Sequence, residues 1–175
     1  MRRAAQLGST PFRHCGSAAR ALRLFSVLAV LLTTTTLALT GVAHAQTTLG
    51  YDPAADPFTL IQEARTAANL SGKHILVIAG GEWCIWCHYL NAFLEDHSDL
   101  NAAFKNTFVV VKAYIGDETD NDAFFATLPE AAGYPHFWVL NAAGEVLRSQ
   151  NTLPLEDGDK SYSSNAFATF IDEWN

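Results

Sequence analysis

The chain has 175 residues, with 11 lysine or arginine and 18 aspartate or glutamate residues, which gives a formal net charge of −7. Negative charge on this scale repels phosphate groups, so nucleic acids and anionic membrane surfaces are excluded as partners. A hydrophobic content of 49% is ample for a folded core.

The first 45 residues have the three parts of a secretion signal. Five arginines precede an apolar run from Leu24 to Leu39, and Val42-Ala43-His44-Ala45 follows it. This order of a basic region, an apolar region and an A-x-A site predicts cleavage after Ala45. An uncleaved anchor is the alternative, because Leu24 to Ala43 is long enough to cross a bilayer. The four threonines at positions 33 to 36 weaken that alternative.

Cleavage would leave residues 46–175, a length that suits one compact domain. All five arginines of the signal would be lost, and six basic residues would remain against all 18 acidic ones, a net charge near −12. The predicted mature protein is therefore more acidic than the whole chain.

The first half of the predicted domain alternates helices with buried strands. Asp56 before Pro57 is a typical helix start, and Ser71-Gly72-Lys73 a typical end. Short runs of β-branched apolar residues bounded by glycine or polar residues predict strands buried on both faces. The predicted elements are a helix from Asp56 to Ser71, a strand at His74–Ala79, a helix that opens at Cys84, a helical piece at Asp99–Asn106 and a strand at Thr107–Tyr114.

The second half begins with an acidic loop and ends in a helix with one aromatic face. The loop at residues 116–122 lacks the glycine and distal glutamate of a calcium site and is interpreted as solvated. A β-hairpin is predicted around the turn Asn141–Gly144. The elements are a helix at Asp122–Ala132 interrupted near Pro129, strands at His136–Leu140 and Glu145–Arg148, a polar loop at residues 154–164 and a helix at Asn165–Trp174.

The cysteine motif lies between the first strand and the second helix. A helix between two buried strands implies a right-handed crossover and parallel pairing, which places Cys84 and Cys87 at the carboxyl end of a strand. Free N–H groups at the start of the helix stabilise a thiolate at Cys84. Cys87 is one turn further along and is expected to be less exposed. Cys84 would then attack a partner's disulfide and Cys87 would resolve the mixed disulfide.

Other chemistries fit the same five residues. Cys84-Ile85-Trp86-Cys87-His88 matches the C-x-x-C-H pattern of c-type haem attachment. The remaining ligand would have to be a histidine (His74, His97 or His136), because the only methionine is Met1. Two thiolates with His88 also suit Zn²⁺ or Cu⁺, but no further motif supplies the other ligands. A structural disulfide is a poor explanation, since so short a loop stabilises little.

A longer sequence pattern favours a redox-active cysteine pair over haem attachment and metal binding. Glu82-Trp83-Cys84-x-x-Cys87, followed about fifty residues later by Gly133-Tyr134-Pro135 and a hairpin, resembles the thioredoxin superfamily over residues 56–174. The resemblance implies an α/β thioredoxin fold: a mixed sheet of four, or five, strands with helices on both faces. It also implies that Pro135 is cis beside the cysteines. Trp83, Tyr134 and Pro135 would contact the substrate.

One position departs from that family. The resemblance leads us to expect a buried aspartate six residues before the first cysteine as proton acceptor for the resolving thiol, and this chain has Ile78 there. Glu82 or a water molecule would have to replace it.

The sequence thus predicts an exported thiol–disulfide oxidoreductase that needs no cofactor and no metal. Its partners would be thiols or disulfides of other exported proteins in the periplasm or an equivalent space. Reduction, with electrons from a membrane donor, is the favoured direction. The alternative is a non-catalytic binding protein whose dithiol holds a metal or contacts a partner.

Overall fold

The computed structural model describes residues 49–119 and 121–175. The predicted signal at residues 1–45 lies outside the described residues. In the part of the chain that is described, no helix combines the length and apolar character needed to cross a membrane.

The first helix, α1 (Pro57–Ser71), starts and ends where the sequence predicts. The Asp56 carboxylate accepts hydrogen bonds from the N–H groups of Phe58 (3.1 Å) and Thr59 (3.2 Å), which would otherwise lack a partner. Gly72 ends the helix with φ at 73°, a left-handed conformation that glycine adopts without a steric penalty.

The sheet has four strands in the described residues: β1 (His74–Gly80), β2 (Phe108–Tyr114), β3 (His136–Leu140) and β4 (Val146–Asn151). Their spatial order is β2-β1-β3-β4. Strand β1 is parallel to β2 and antiparallel to β3, which is antiparallel to β4. The predicted mixed sheet and the predicted hairpin are confirmed.

Four more helices follow α1: α2 (Ile85–Asp96), α3 (Ser98–Thr107), α4 (Asp122–Phe125) and α5 (Ser164–Asp172). The helix predicted to run to Ala132 is wrong beyond Phe125, where turns and bends follow. Trp138 Nε1 donates to Pro129 O at 2.9 Å, so this turn is fixed by a contact with the sheet.

The polar loop predicted at residues 154–164 is also wrong in part. A short 3₁₀ helix occupies Leu153–Leu155, and a β-bridge joins Glu156 to Tyr162. Leu155 and Tyr162 are both buried in the core. Two apolar side chains spaced seven residues apart were enough to fold a mainly polar segment onto the domain.

Core side chains lie on both faces of the sheet. On one face, Leu76 and Ile78 of β1 pack in a cluster with side chains of α2, α3 and α5. On the other, Ile75 and Val77 pack in a cluster with side chains of α1 and α4. Residues of β1 therefore alternate between two cores, as expected for a strand with a helical layer on each side.

His136 belongs to the core of β3. Its Nε2 lies 2.8 Å from Ser149 Oγ, while its Nδ1 is buried without a hydrogen-bond partner among the described residues. Burial lowers the pKa of this imidazole, so the neutral form is favoured in the folded protein.

Candidate active site

The two cysteines lie where β1 ends and α2 begins. Cys84 is the N-cap of α2 and is joined to Cys87 by a disulfide bond, with Cα atoms 5.2 Å apart. The N–H of Cys87 donates to Cys84 Sγ at 3.2 Å. Cys84 Sγ is therefore placed to accept hydrogen bonds from the N–H groups at the start of the helix, and such hydrogen bonds stabilise a thiolate.

The expected difference in exposure between the cysteines is wrong. Cys84 and Cys87 are each only 3% exposed. The apolar surface beside them is open, since the side chains of Trp83 and Ile85 are each 56% exposed. A partner chain would meet this surface first, and Cys84 Sγ could be reached only after local displacement.

Trp83 connects the cysteine motif to the segment before β3. Its indole N–H donates to Ile115 O at 2.6 Å, and its ring meets the Tyr134 ring edge-on at 5.8 Å. The peptide bond from Tyr134 to Pro135 is cis. Thr152 Oγ1 donates to Pro135 O at 3.1 Å and ties this segment to the end of β4. The three residues predicted to bind substrate thus lie together beside Cys84, and their role stays a prediction.

His88 and Trp86 each contact residues outside the cysteine pair. His88 Nε2 lies 2.8 Å from Glu82 O, so the ring closes the loop before the helix. The Trp86 ring meets Tyr89 at 5.3 Å and Tyr162 at 5.9 Å, both edge-on. Both rings are thus engaged by other parts of the domain.

The ionisable groups behind the disulfide come from elements other than β1. Lys112 of β2 is the register partner of Ile78. Lys112 Nζ donates to Leu49 O, and the N–H of Leu49 donates to Glu82 Oε1 at 2.8 Å. The backbone of Leu49 therefore links Lys112 to Glu82. Burial lowers the pKa of the Lys112 ammonium, while the charge of Glu82 acts in the opposite direction.

Tyr51 is a site residue that the sequence gave no reason to select. It precedes α1, outside any helical or strand periodicity, and its side chain is 1% exposed. A cavity of about 240 Å³ is lined by Tyr51, Cys87 and Lys112, with Leu90 among its apolar residues. The second cysteine thus borders a cavity that it shares with Tyr51 and Lys112.

The histidines considered as haem ligands make other contacts. His74 meets the Trp174 ring at 5.2 Å, and His97 Nδ1 lies 2.9 Å from Phe93 O. Within residues 49–119 and 121–175, no group of three or more His, Cys, Asp or Glu side chains is arranged to hold a metal ion.

The chain is similar to a known protein family and to solved structures. The "Thioredoxin-like" family model matches residues 58–142. The crystal structure of a disulphide isomerase from Xylella fastidiosa Temecula1 is 25% identical, with a TM-score of 0.60, and the match covers 71% of this chain and 95% of that one. The protein has a thioredoxin-like fold. No curated protein matches the sequence.

Two further solved structures match with low scores. A protein of unknown function from Pseudomonas aeruginosa is 18% identical, with a TM-score of 0.34, and an HIV epitope-scaffold is 17% identical, with a TM-score of 0.33. Each match covers 67% of this chain and 75% of the other.

A thioredoxin-like fold with a cysteine pair at the start of α2 supports a thiol–disulfide oxidoreductase in general terms. The chemistry it provides is exchange between a dithiol and a disulfide.

Gly80 is a point of close approach between the end of β1 and two side chains of the site. A Cβ at residue 80 would lie 2.5 Å from Cys87 Sγ and 3.0 Å from both Cζ and Oη of Tyr51. Only a residue without a side chain allows the sulfur and the phenol to pack against the end of β1.

We therefore predict that Gly80→Ala lowers the free energy of unfolding by about 1–3 kcal/mol, because the methyl group overpacks a filled core. Denaturant unfolding of the oxidised protein measures this. Gly133→Ala is the matched control, since the nearest atom to its Cβ would be Asn151 Nδ2 at 4.0 Å. Equal stabilities for the two variants would contradict the packing argument.

Proposed function

We propose that the mature chain is an exported thiol–disulfide oxidoreductase that exchanges disulfides with other exported proteins through Cys84 and Cys87, chiefly as a reductase. The observation that carries the proposal is the Cys84–Cys87 disulfide at the N-terminus of α2, beside the exposed Trp83 and the cis Tyr134–Pro135 bond.

Reduction of a client would proceed in two exchanges. The Cys84 thiolate attacks one sulfur of the client disulfide, and the other client sulfur leaves as a thiolate that takes a proton from solvent. Cys87 then loses its proton and attacks Cys84 Sγ, and the second client sulfur leaves with the electron pair. The client gains two electrons, and the cysteine pair becomes the disulfide seen in the structure.

The surroundings of Cys84 support the reductive direction. The strongest oxidants of this kind owe their potential to a stabilised reduced form, in which the first thiolate has a very low pKa. Here the hydrogen bond to Cys84 Sγ comes from the N–H of Cys87, and the ring of His88 is engaged with Glu82 O. One neutral donor stabilises a thiolate less than a neighbouring cation would.

A reductase in an oxidising compartment needs a source of electrons. Each turnover leaves the Cys84–Cys87 disulfide, which must be reduced before the next client is bound. A membrane protein that passes electrons outward is the donor proposed here, since the predicted signal would separate the mature chain from cytosolic reductants. The periplasm is the corresponding location.

The structural relative suggests a neighbouring activity. That protein is described as a disulphide isomerase. An isomerase uses the same attack by Cys84 but releases the client before Cys87 resolves the mixed disulfide. Rapid resolution by Cys87 favours reduction, and slow resolution favours isomerisation. A binding protein without turnover is the remaining alternative.

We predict that purified residues 46–175 reduce insulin in the presence of dithiothreitol and that Cys84→Ser abolishes this activity, because the attacking thiolate is lost. Cys87→Ser, reduced and freed of dithiothreitol before insulin is added, should retain the first attack and accumulate a mixed disulfide, since neither Cys87 nor an added dithiol resolves it. Turbidity and non-reducing mass spectrometry measure the two effects. Equal activity of wild type and Cys84→Ser would refute catalysis by this pair.

We predict a reduction potential for the Cys84/Cys87 couple closer to the value of about −270 mV typical of thioredoxin than to the value of about −120 mV typical of strong oxidants. Equilibration with glutathione or dithiothreitol buffers, followed by thiol alkylation, measures it. A value near −180 mV would favour the isomerase. A value near that of the strong oxidants would contradict the reductive direction.

Export gives a separate prediction. Expression of the full chain in a Gram-negative bacterium should yield a periplasmic protein that begins at Gln46, because the A-x-A site ends at Ala45. Intact mass and N-terminal sequencing of the periplasmic fraction measure this. His44→Pro together with Ala45→Pro should block cleavage. A full-length protein in the membrane fraction of wild type would instead show that the segment is retained as an anchor.

A further inference from the structure

We propose that Tyr51 is a positioning residue for the resolving cysteine, and that its hydroxyl donates a hydrogen bond to the Cys87 thiolate when the disulfide is reduced. The inference rests on the proposed function, because the Cys87 thiolate matters as the nucleophile of the second exchange.

The geometry at Gly80 brings the two groups together. Cys87 Sγ and Tyr51 Oη both lie within 3.0 Å of the point where a Cβ of residue 80 would be. With the disulfide closed, the sulfur is bonded to Cys84. Reduction breaks that bond and frees Cys87 Sγ to rotate toward the hydroxyl.

The Tyr51 ring is held in place by its neighbours. Its side chain is 1% exposed, and the Lys112 ammonium lies 5.3 Å from the ring centroid. Lys112 is in turn bonded to the carbonyl of Leu49, two residues before the tyrosine. A ring fixed in this way presents its hydroxyl at a constant position, and little entropy is lost when the hydrogen bond forms.

The Tyr51 hydroxyl is suited to donate a hydrogen bond and not to give up its proton. Burial, followed by the charges of Tyr162 and Glu82, raises the pKa of Tyr51 far above its ordinary value. The phenol therefore keeps its proton throughout the physiological pH range. The proton that Cys87 loses must go elsewhere, and the cavity of about 240 Å³ lined by both residues gives it a route to solvent.

Other charges face the same cavity. Lys112 and Lys105 line it together with Glu95, and Glu82 is close enough to influence both Tyr51 and Lys112. The two ammonium groups also favour a thiolate at Cys87, and the carboxylates oppose it. The effect of Tyr51 on the Cys87 pKa can be measured separately from the effect of these charges, because replacing Tyr51 by phenylalanine changes no charge.

In the resolving step the Cys87 thiolate forms a bond to Cys84 Sγ, and the bond between Cys84 and the client sulfur breaks. The electron pair leaves with the client thiolate, which takes a proton from solvent. Tyr51 lowers the pKa of the Cys87 thiol and so raises the fraction that is ready to attack.

The experiment measures the pKa of Cys87 in a Cys84→Ser protein, from the pH dependence of its alkylation. Adding Tyr51→Phe should raise this pKa by about one unit, the effect expected for one hydrogen bond to a charged group. With both cysteines present, the mixed disulfide of Tyr51→Phe should decay about threefold more slowly at neutral pH. The tenfold smaller thiolate fraction is partly offset by the greater nucleophilicity of the more basic thiolate.

Tyr162→Phe is the matched control. Tyr162 is another buried tyrosine in the same core, and its hydroxyl donates to Trp86 O at 3.3 Å. This variant should leave the Cys87 pKa unchanged. The same Cys87 pKa with and without Tyr51→Phe would overturn the inference.

A second measurement covers the case in which Tyr51→Phe does not fold. Incorporation of 3-fluorotyrosine at position 51 makes the hydroxyl a stronger donor at nearly constant size, so the Cys87 pKa should fall. An unchanged value would overturn the inference. Since alkylation needs no client, a Tyr51-dependent pKa in a protein without insulin reduction would support this hydrogen bond while refuting the proposed function.

Discussion

Strand β1 is buried on both of its faces, and the placement of the cysteine pair depends on that burial. Six of its seven residues are buried, and they alternate between two cores. Each large apolar side chain buried there contributes about 1.5–3 kcal/mol. The strand is therefore a fixed support, and α2 begins directly beyond its carboxyl end, with Cys84 as the N-cap.

The same burial explains why ionisable groups near the disulfide are supplied by other elements. A charge on β1 would lose its hydration at a cost of several kcal/mol, which a charged partner would have to offset. Ile78 occupies the position that faces Lys112 on β2. Tyr51 and Glu82 come from the segments just before α1 and α2, where a path to solvent remains. The buried strand is thus apolar, and the ionisable groups near the disulfide are supplied by the segments around it.

Much of the fold could be predicted because it follows from local patterns. The Asp56-Pro57 start of α1, the apolar run of β1 and the turn of the hairpin each have a physical cause within a few residues. Predictions failed where long-range contacts decide the structure. The chain after Phe125 leaves the helix and is fixed by Trp138, and Leu155 and Tyr162 draw a polar segment into the core.

The sequence by itself determined the cysteine pair, its position between a buried strand and a helix, and the proline that precedes β3, because spacing and local preference encode all three. Only the tertiary structure decided that both sulfur atoms are buried and that Tyr51 meets Cys87 at Gly80. It also turned His88 toward Glu82 O. These contacts depend on how separate elements pack against one another. Local sequence patterns report which residues form a helix or a strand, and they carry no information about contacts between residues that are far apart in the chain.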